Sequence, residues 1–129
     1  MSTSEAVTRH IRVRVESEYS PERSSPRSQR CFILYAVTIT DEGDDTVQLM
    51  TRHWIITGGN DHVEEVRGPG VVGEQPVLGP GESFTYTSSC SLPAPNGMME
   101  GTDQMVARGG DGFDARIAPF TLDAPHAVH

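Results

Sequence analysis

Cys31-Phe32-Ile33-Leu34-Tyr35-Ala36-Val37-Thr38-Ile39-Thr40 is the stretch on which the fold turns. Successive side chains of a β-strand point to opposite faces, so Cys31, Ile33, Tyr35, Val37 and Ile39 share one face and Phe32, Leu34 and Ala36 the other. Both faces are apolar. A strand of that kind belongs in the middle of a sheet, and its β-branched and aromatic residues suit a pleated surface.

Working outward toward the N-terminus, Ile11, Val13 and Val15 alternate with Arg12, Arg14 and Glu16, the period of a half-buried strand. Residues 20–30, with Pro21 and Pro26 among serines and charges, read as a loop. Residues 1–8 read as a flexible segment, 9–124 as one domain and 125–129 as a tail. In the other direction, a turn over residues 41–45 leads into a strand over 46–57. Within it Val47 and Leu49 are in phase, but Trp54 and Ile56 fall on the opposite phase, which calls for a β-bulge near residues 51–53.

Gly58, Gly59, Asn60 and Asp61 suit a hairpin turn, with a return strand over residues 62–67. Residues 68–81 are too dense in Gly and Pro for a helix or a central strand. Strands then follow over 84–90, over 98–107 and from Phe113 onward, the last interrupted by Pro119, with turns at residues 93–97 and 109–112. Seven or eight strands with evenly spaced turns and no helical pattern make an all-β sandwich.

Composition sets limits on function. The 129 residues are 36% hydrophobic, which supports one domain with its own core and no metal or disulfide staple. No apolar run approaches a membrane span, and the first eight residues lack the pattern of a secretion signal, so the expected location is cytoplasmic, without membrane insertion. The net charge is −8, with ten cations that are all Arg. Residues 1–30 carry six Arg and four Glu, whereas residues 31–129 carry four Arg and fourteen acids, so the folded part is acidic and would repel a phosphate backbone. Nucleic acid is therefore not an expected partner. The absence of Lys removes Walker-type and Schiff-base chemistry.

Gly68-Pro69-Gly70-Val71-Val72-Gly73 satisfies GxGxxG, which makes Gly68, Gly70 and Gly73 the candidate phosphate loop. That chemistry needs a helix N-terminus behind the glycines, and Glu74-Gln75-Pro76-Val77-Leu78-Gly79-Pro80 cannot supply one. Cys31 and Cys90 lie on expected strands without a CxxC or zinc spacing and read as reduced and inert. Among the five histidines only His126 and His129 are close together, a candidate labile metal site in the tail. Asp41, Glu42, Asp44 and Asp45 lack the calcium-loop spacing and read as a solvated turn. Ser88-Ser89-Cys90-Ser91 has no nucleophile-elbow glycines. No catalytic residue and no cofactor are expected.

Arg52-His53-Trp54-Ile55-Ile56-Thr57, the run from Val66 to Pro76, the run from Pro80 to Ser88 and Met99-Glu100-Gly101 together closely resemble the bacterial ApaG family, over about residues 11–122. The resemblance implies an immunoglobulin-like or fibronectin type III-like β-sandwich. It also implies a family-level link to cobalt and magnesium resistance or efflux, while related domains in eukaryotic F-box proteins and a DNA polymerase δ-interacting protein imply protein recognition. One position departs from the family: Asp103 stands where members tend to carry an aromatic residue. The expectation is a non-enzymatic binding module for a protein partner of unknown identity. Its expected contacts are the 68–81 loop, Trp54 or Tyr86 if exposed, and an edge strand at residues 10–16, guarded by Arg12 and Arg14, which could also form a homodimer. The alternative is a small-molecule role, with phosphate or nucleotide on the GxGxxG loop beside Arg52 or Arg67, or weak divalent-metal binding on the acidic surface.

Overall fold

The computed structural model describes residues 2–24, 31–59, 61–92 and 96–123. Among them the chain forms nine strands and no helix: β1 (Ser2–Thr8), β2 (Ile11–Tyr19), β3 (Cys31–Asp41), β4 (Val47–Gly58), β5 (Val63–Pro69), β6 (Val77–Leu78), β7 (Ser83–Leu92), β8 (Asn96–Ala107) and β9 (Gly112–Asp123). They make two antiparallel sheets, one ordered β1-β2-β3-β7 and the other β5-β4-β8-β9, with β6 also on β4. This is the expected all-β sandwich. Its additional strands are β1 and the two-residue β6, which lies inside the glycine-rich loop.

The period-two patterns become the two inner faces. Cys31, Ile33, Tyr35, Val37 and Ile39 of β3 are buried, as are Ile11, Val13 and Val15 of β2. β3 lies between β2 and β7, in the interior of its sheet as its sequence demands. On β4 the register shifts between Leu49 and Thr51, placing the extra residue at Met50, just ahead of the expected bulge. The slip lets Val47, Leu49, Trp54 and Ile56 all face the core. Tyr35, Trp54 and Phe120 then meet at the centre with ring centroids 5.6 to 6.0 Å apart, two of the three pairs edge-on, as aromatic quadrupoles prefer.

β9 runs on past Pro119 to Asp123, and the expected interruption takes the form of a bulge. Met99 pairs with Phe120 while Gly101 pairs with Ile117, so Ala118 and Pro119 bulge opposite Glu100 and the missing proline donor does not break the ladder. Gly101 is required by close packing, because a Cβ there would strike the His53 carbonyl.

Two expectations about the N-terminus are overturned. Residues 2–8 are not a flexible segment but strand β1, paired with β2 along its length. In consequence β2, the expected edge, is flanked by β1 and β3 and has no unpaired side. The turn expected over residues 93–97 is shorter at its end, since β8 begins at Asn96. Asn60 of the hairpin, residues 93–95 and the tail with His126 and His129 lie outside the described residues.

Candidate functional site

The bulge at Met50 has a consequence for Arg52. With the phase of β4 shifted, Arg52 shares the inner face with Trp54 and sits between the sheets, where its guanidinium donates to the carbonyls of Pro69 (3.2 Å) and Gly70 (2.8 Å). Each glycine of the GxGxxG run follows from this arrangement. A Cβ at Gly68 would meet the Arg52 guanidinium at 3.2 Å. Gly70 has φ +62° and a Cβ there would strike the Glu74 carbonyl. Gly73, at φ +81°, is the second centre of a tight turn from Val71 to Glu74 whose first centre, Val72, also has positive φ (44°).

A phosphate loop needs backbone amides to spare. Here the Gly70 amide donates to Met50, Val71 to Glu74 and Glu74 to Val71. Gln75 Nε2 donates to the Met50 carbonyl (2.9 Å), tying the loop down further. The loop backbone thus folds over an arginine whose Nη1 already donates to two of its carbonyls.

Beneath Arg52 lies a buried polar cluster. Asp103 is directly opposite Arg52 in the β4–β8 ladder, is fully buried, and neither carboxyl oxygen has a hydrogen-bond partner among the described residues. Burial raises its carboxyl to about 7, with the Arg52 charge pulling the other way. The Tyr86 hydroxyl is also buried without a partner, and desolvation together with the Asp103 charge raises its ionisation well above the ordinary tyrosine range. Tyr35 is raised by burial too, with Ser88 hydrogen-bonding its hydroxyl and opposing the shift. These groups hold no nucleophile next to a base. Trp54 and Tyr86, considered as exposed contacts, are 3% and 6% exposed and belong to the core.

The other sequence candidates are dispersed. Cys31 is buried and Cys90 half-buried, neither forms a disulfide, and burial pushes the Cys90 thiol up to about 11, which suppresses the reactive thiolate. Asp41 is not a solvated turn residue: it is buried, and its Oδ1 accepts from the Gly43 amide at 2.9 Å. Glu42 instead turns outward and accepts from Arg12 Nε at 2.8 Å. Among the described residues no three His, Cys, Asp or Glu side chains gather as metal ligands. No helix is long and apolar enough to cross a membrane.

The four sheet edges differ in a way the sequence did not announce. β9 packs against β1 and β2, and hydroxyls close that side. Ser4 donates to the Ala118 carbonyl (2.9 Å), Ser17 to Thr121 (3.2 Å), and the amides of Arg116 and Thr121 donate to Thr8 Oγ1 (3.1 Å) and Ser2 Oγ (3.2 Å). On the opposite side, β7 pairs only with β3 and β5 only with β4 among the described residues. The amide of Asp41 donates to Glu82, so the β3–β7 ladder bonds through the even-numbered residues of β7, and Thr85, Thr87 and Ser89 turn their backbone groups outward. Beside them, Glu16, Glu18, Arg23, Leu34, Ala36, Thr87 and Ser89 help to line a groove of about 520 Å³ on the outer face, where Leu34 is 40% exposed.

The fold and site define a small antiparallel β-sandwich with one sealed and one unsealed side. Comparison with known proteins agrees with the fold. The chain matches the ApaG domain over residues 21–107. It is 55% identical to Protein ApaG of Methylobacterium sp. (strain 4-46) over 121 residues, covering 94% of this chain and 93% of the relative. Protein ApaG of Afipia carboxidovorans is 55% identical over 120 residues, covering 93% and 92%. A crystal structure of the ApaA protein from Bordetella pertussis superposes with a TM-score of 0.87 at 48% identity, covering 91% of this chain and 95% of that one. The chain belongs to the ApaG family.

Proposed function

We propose that the chain is a non-enzymatic, cytoplasmic protein-recognition module that takes an extended segment of its partner onto the β7 edge. The observation that carries this reading is the β7 edge itself. It is ten residues long, Ser83–Leu92, contains neither charge nor proline, and turns the amides and carbonyls of Thr85, Thr87 and Ser89 away from β3. Natural sheets blunt edges of this length with lysine, proline or a covering element, so an unguarded edge suits strand addition. The adjoining groove gives alternate side chains of the segment a place to lie, with Leu34 as its apolar floor and Glu16 and Glu18 on its rim. The groove carries Arg23 beside these acids and Arg14 already pairs with Glu16, so a cationic segment is favoured by Glu18 and by the net charge of −8. The family-level link to cobalt and magnesium then runs through the partner rather than through a metal held by this chain.

Thr87→Pro tests the reading, because the Thr87 amide faces outward and its loss leaves the β3–β7 ladder intact. Partners retained by the parent chain from native cells should be lost by folded Thr87→Pro, and the amide signals of Thr85, Thr87 and Ser89 should shift on binding. Retention by Thr87→Pro, or shifts confined to other elements, would refute it.

A further inference from the structure

The second unsealed edge, β5, carries a different pattern. The Gly58 amide donates to the His62 carbonyl and the Gly70 amide to Met50, and both pairs lie in the register of the β4–β5 ladder. Alternation along an antiparallel ladder therefore assigns Glu64, Val66 and Gly68 to β4 and turns the backbone groups of Val63, Glu65 and Arg67 outward. At the end of this row Pro69 has no amide, and its carbonyl already accepts from Arg52 at 3.2 Å. On the outer face Glu65 is already near His53 (2.8 Å) and Arg67 (3.7 Å).

An antiparallel ladder between two copies must pair these outward residues with one another, which restricts the registers. One register sets Glu65 against Arg67 of the partner subunit, and Arg67 against the partner's Glu65, about a two-fold axis at Val66. Sliding it by two residues brings Glu65 against its own copy or Arg67 against its own copy, and like charges directly opposite are unfavourable. We propose that this chain forms a homodimer by pairing β5 with β5 of a second copy in the register that opposes Glu65 to Arg67. In that register each copy donates the amides of Glu65 and Arg67 and accepts on the same two residues, and the two four-strand paths join into one continuous sheet. The proline ends the ladder and so fixes its length.

The test is sedimentation of the full chain at physiological ionic strength over a concentration series, with charge reversals. The parent should associate to a dimer, and Glu65→Arg and Arg67→Glu should each weaken it by roughly tenfold or more. An equimolar mixture of the two single variants should associate again, since each then meets the opposite charge, and the double reversal should dimerise by itself. Arg67→Pro deletes an outward amide without touching the β4 ladder and, shown folded by circular dichroism, should be monomeric. Thr87→Pro should leave the dimer unchanged, so failure at β5 and failure at β7 read out separately. A parent chain that stays monomeric, single reversals that associate as well as the parent, a mixture that does not recover, or a folded Arg67→Pro dimer would each overturn the proposal.

Discussion

Asp103 should give this domain a stability that falls as pH rises. Its carboxyl ordinarily titrates at 3.8 and in the folded chain at about 7, because burial penalises the charged form. Below pH 3.8 both folded and unfolded chains hold the proton and the residue is neutral in either state. As pH rises the unfolded chain releases the proton first, so folding loses free energy steadily until the folded carboxyl also ionises. Three pH units at about 1.4 kcal/mol each amount to roughly 4 kcal/mol, a large share of the 5–15 kcal/mol that holds a typical domain together. Glu42 and Glu65 run the opposite way, held below the usual carboxylate range by hydrogen bonds from Arg12 and His53, but both lie at the surface where water screens them. Urea unfolding of the parent, Asp103→Asn and Asp103→Leu, from pH 4 to pH 8, checks the reasoning. The parent should lose stability across that interval and both variants should flatten the slope. At pH 8 Asp103→Leu should exceed the parent, while Asp103→Asn gains less because its amide inherits the unmet hydrogen bonds. An unchanged slope in both variants, or an Asp103 carboxyl carbon that titrates below pH 5 by NMR, would refute it.

Gly70→Ala should cost more than Gly73→Ala, about 3 against about 1 kcal/mol by thermal unfolding, because only the first adds a collision with the Glu74 carbonyl to the positive-φ penalty. Cys90 should react with a disulfide reagent at pH 7.4 far more slowly in the native chain than in urea, since its thiol is raised to about 11; equal rates would contradict its burial. Calorimetric titration with ATP should give no saturable isotherm, as the loop amides of Gly70, Val71 and Glu74 are already bonded, and a micromolar isotherm abolished in a folded Gly70→Ala variant would contradict that assignment.

What the sequence disclosed was the part of the fold written in local periodicity. Alternation placed Ile33, Tyr35, Val37 and Ile39 inward and marked the phase change on β4 that becomes the Met50 bulge. Ser2 to Thr8 carries no apolar alternation, so it gave no strand signal. Its hydroxyls are there to meet the β9 backbone across the seam, a pairing between residues more than a hundred positions apart. The GxGxxG run was visible but its causes were not: Gly68 faces Arg52, which turns inward only once the bulge has shifted its phase, Gly70 faces the Glu74 carbonyl, and Gly73 serves the tight turn.

The same limit governs the edges, and with them the functional surface. Period two assigns a residue to a face, but which strand ends a sheet depends on pairings that no window contains. Arg12 and Arg14 on alternating positions resemble a guarded edge, yet β1 pairs alongside β2 there, and Arg12 is spent on Glu5 and Glu42 instead. The unsealed edges lie where the sequence shows either hydroxyls at the outward-bonding positions Thr85, Thr87 and Ser89 of β7, or a Glu65–Arg67 alternation closed by Pro69, on β5. Those two compositions call for different occupants. An uncharged edge accepts any extended segment through its backbone and leaves selection to the groove beside it, whereas an edge that alternates opposite charges discriminates by register and is complementary to itself. A sandwich sealed along β1 and β9 therefore keeps both open edges on its remaining side, one uncharged and one complementary to itself.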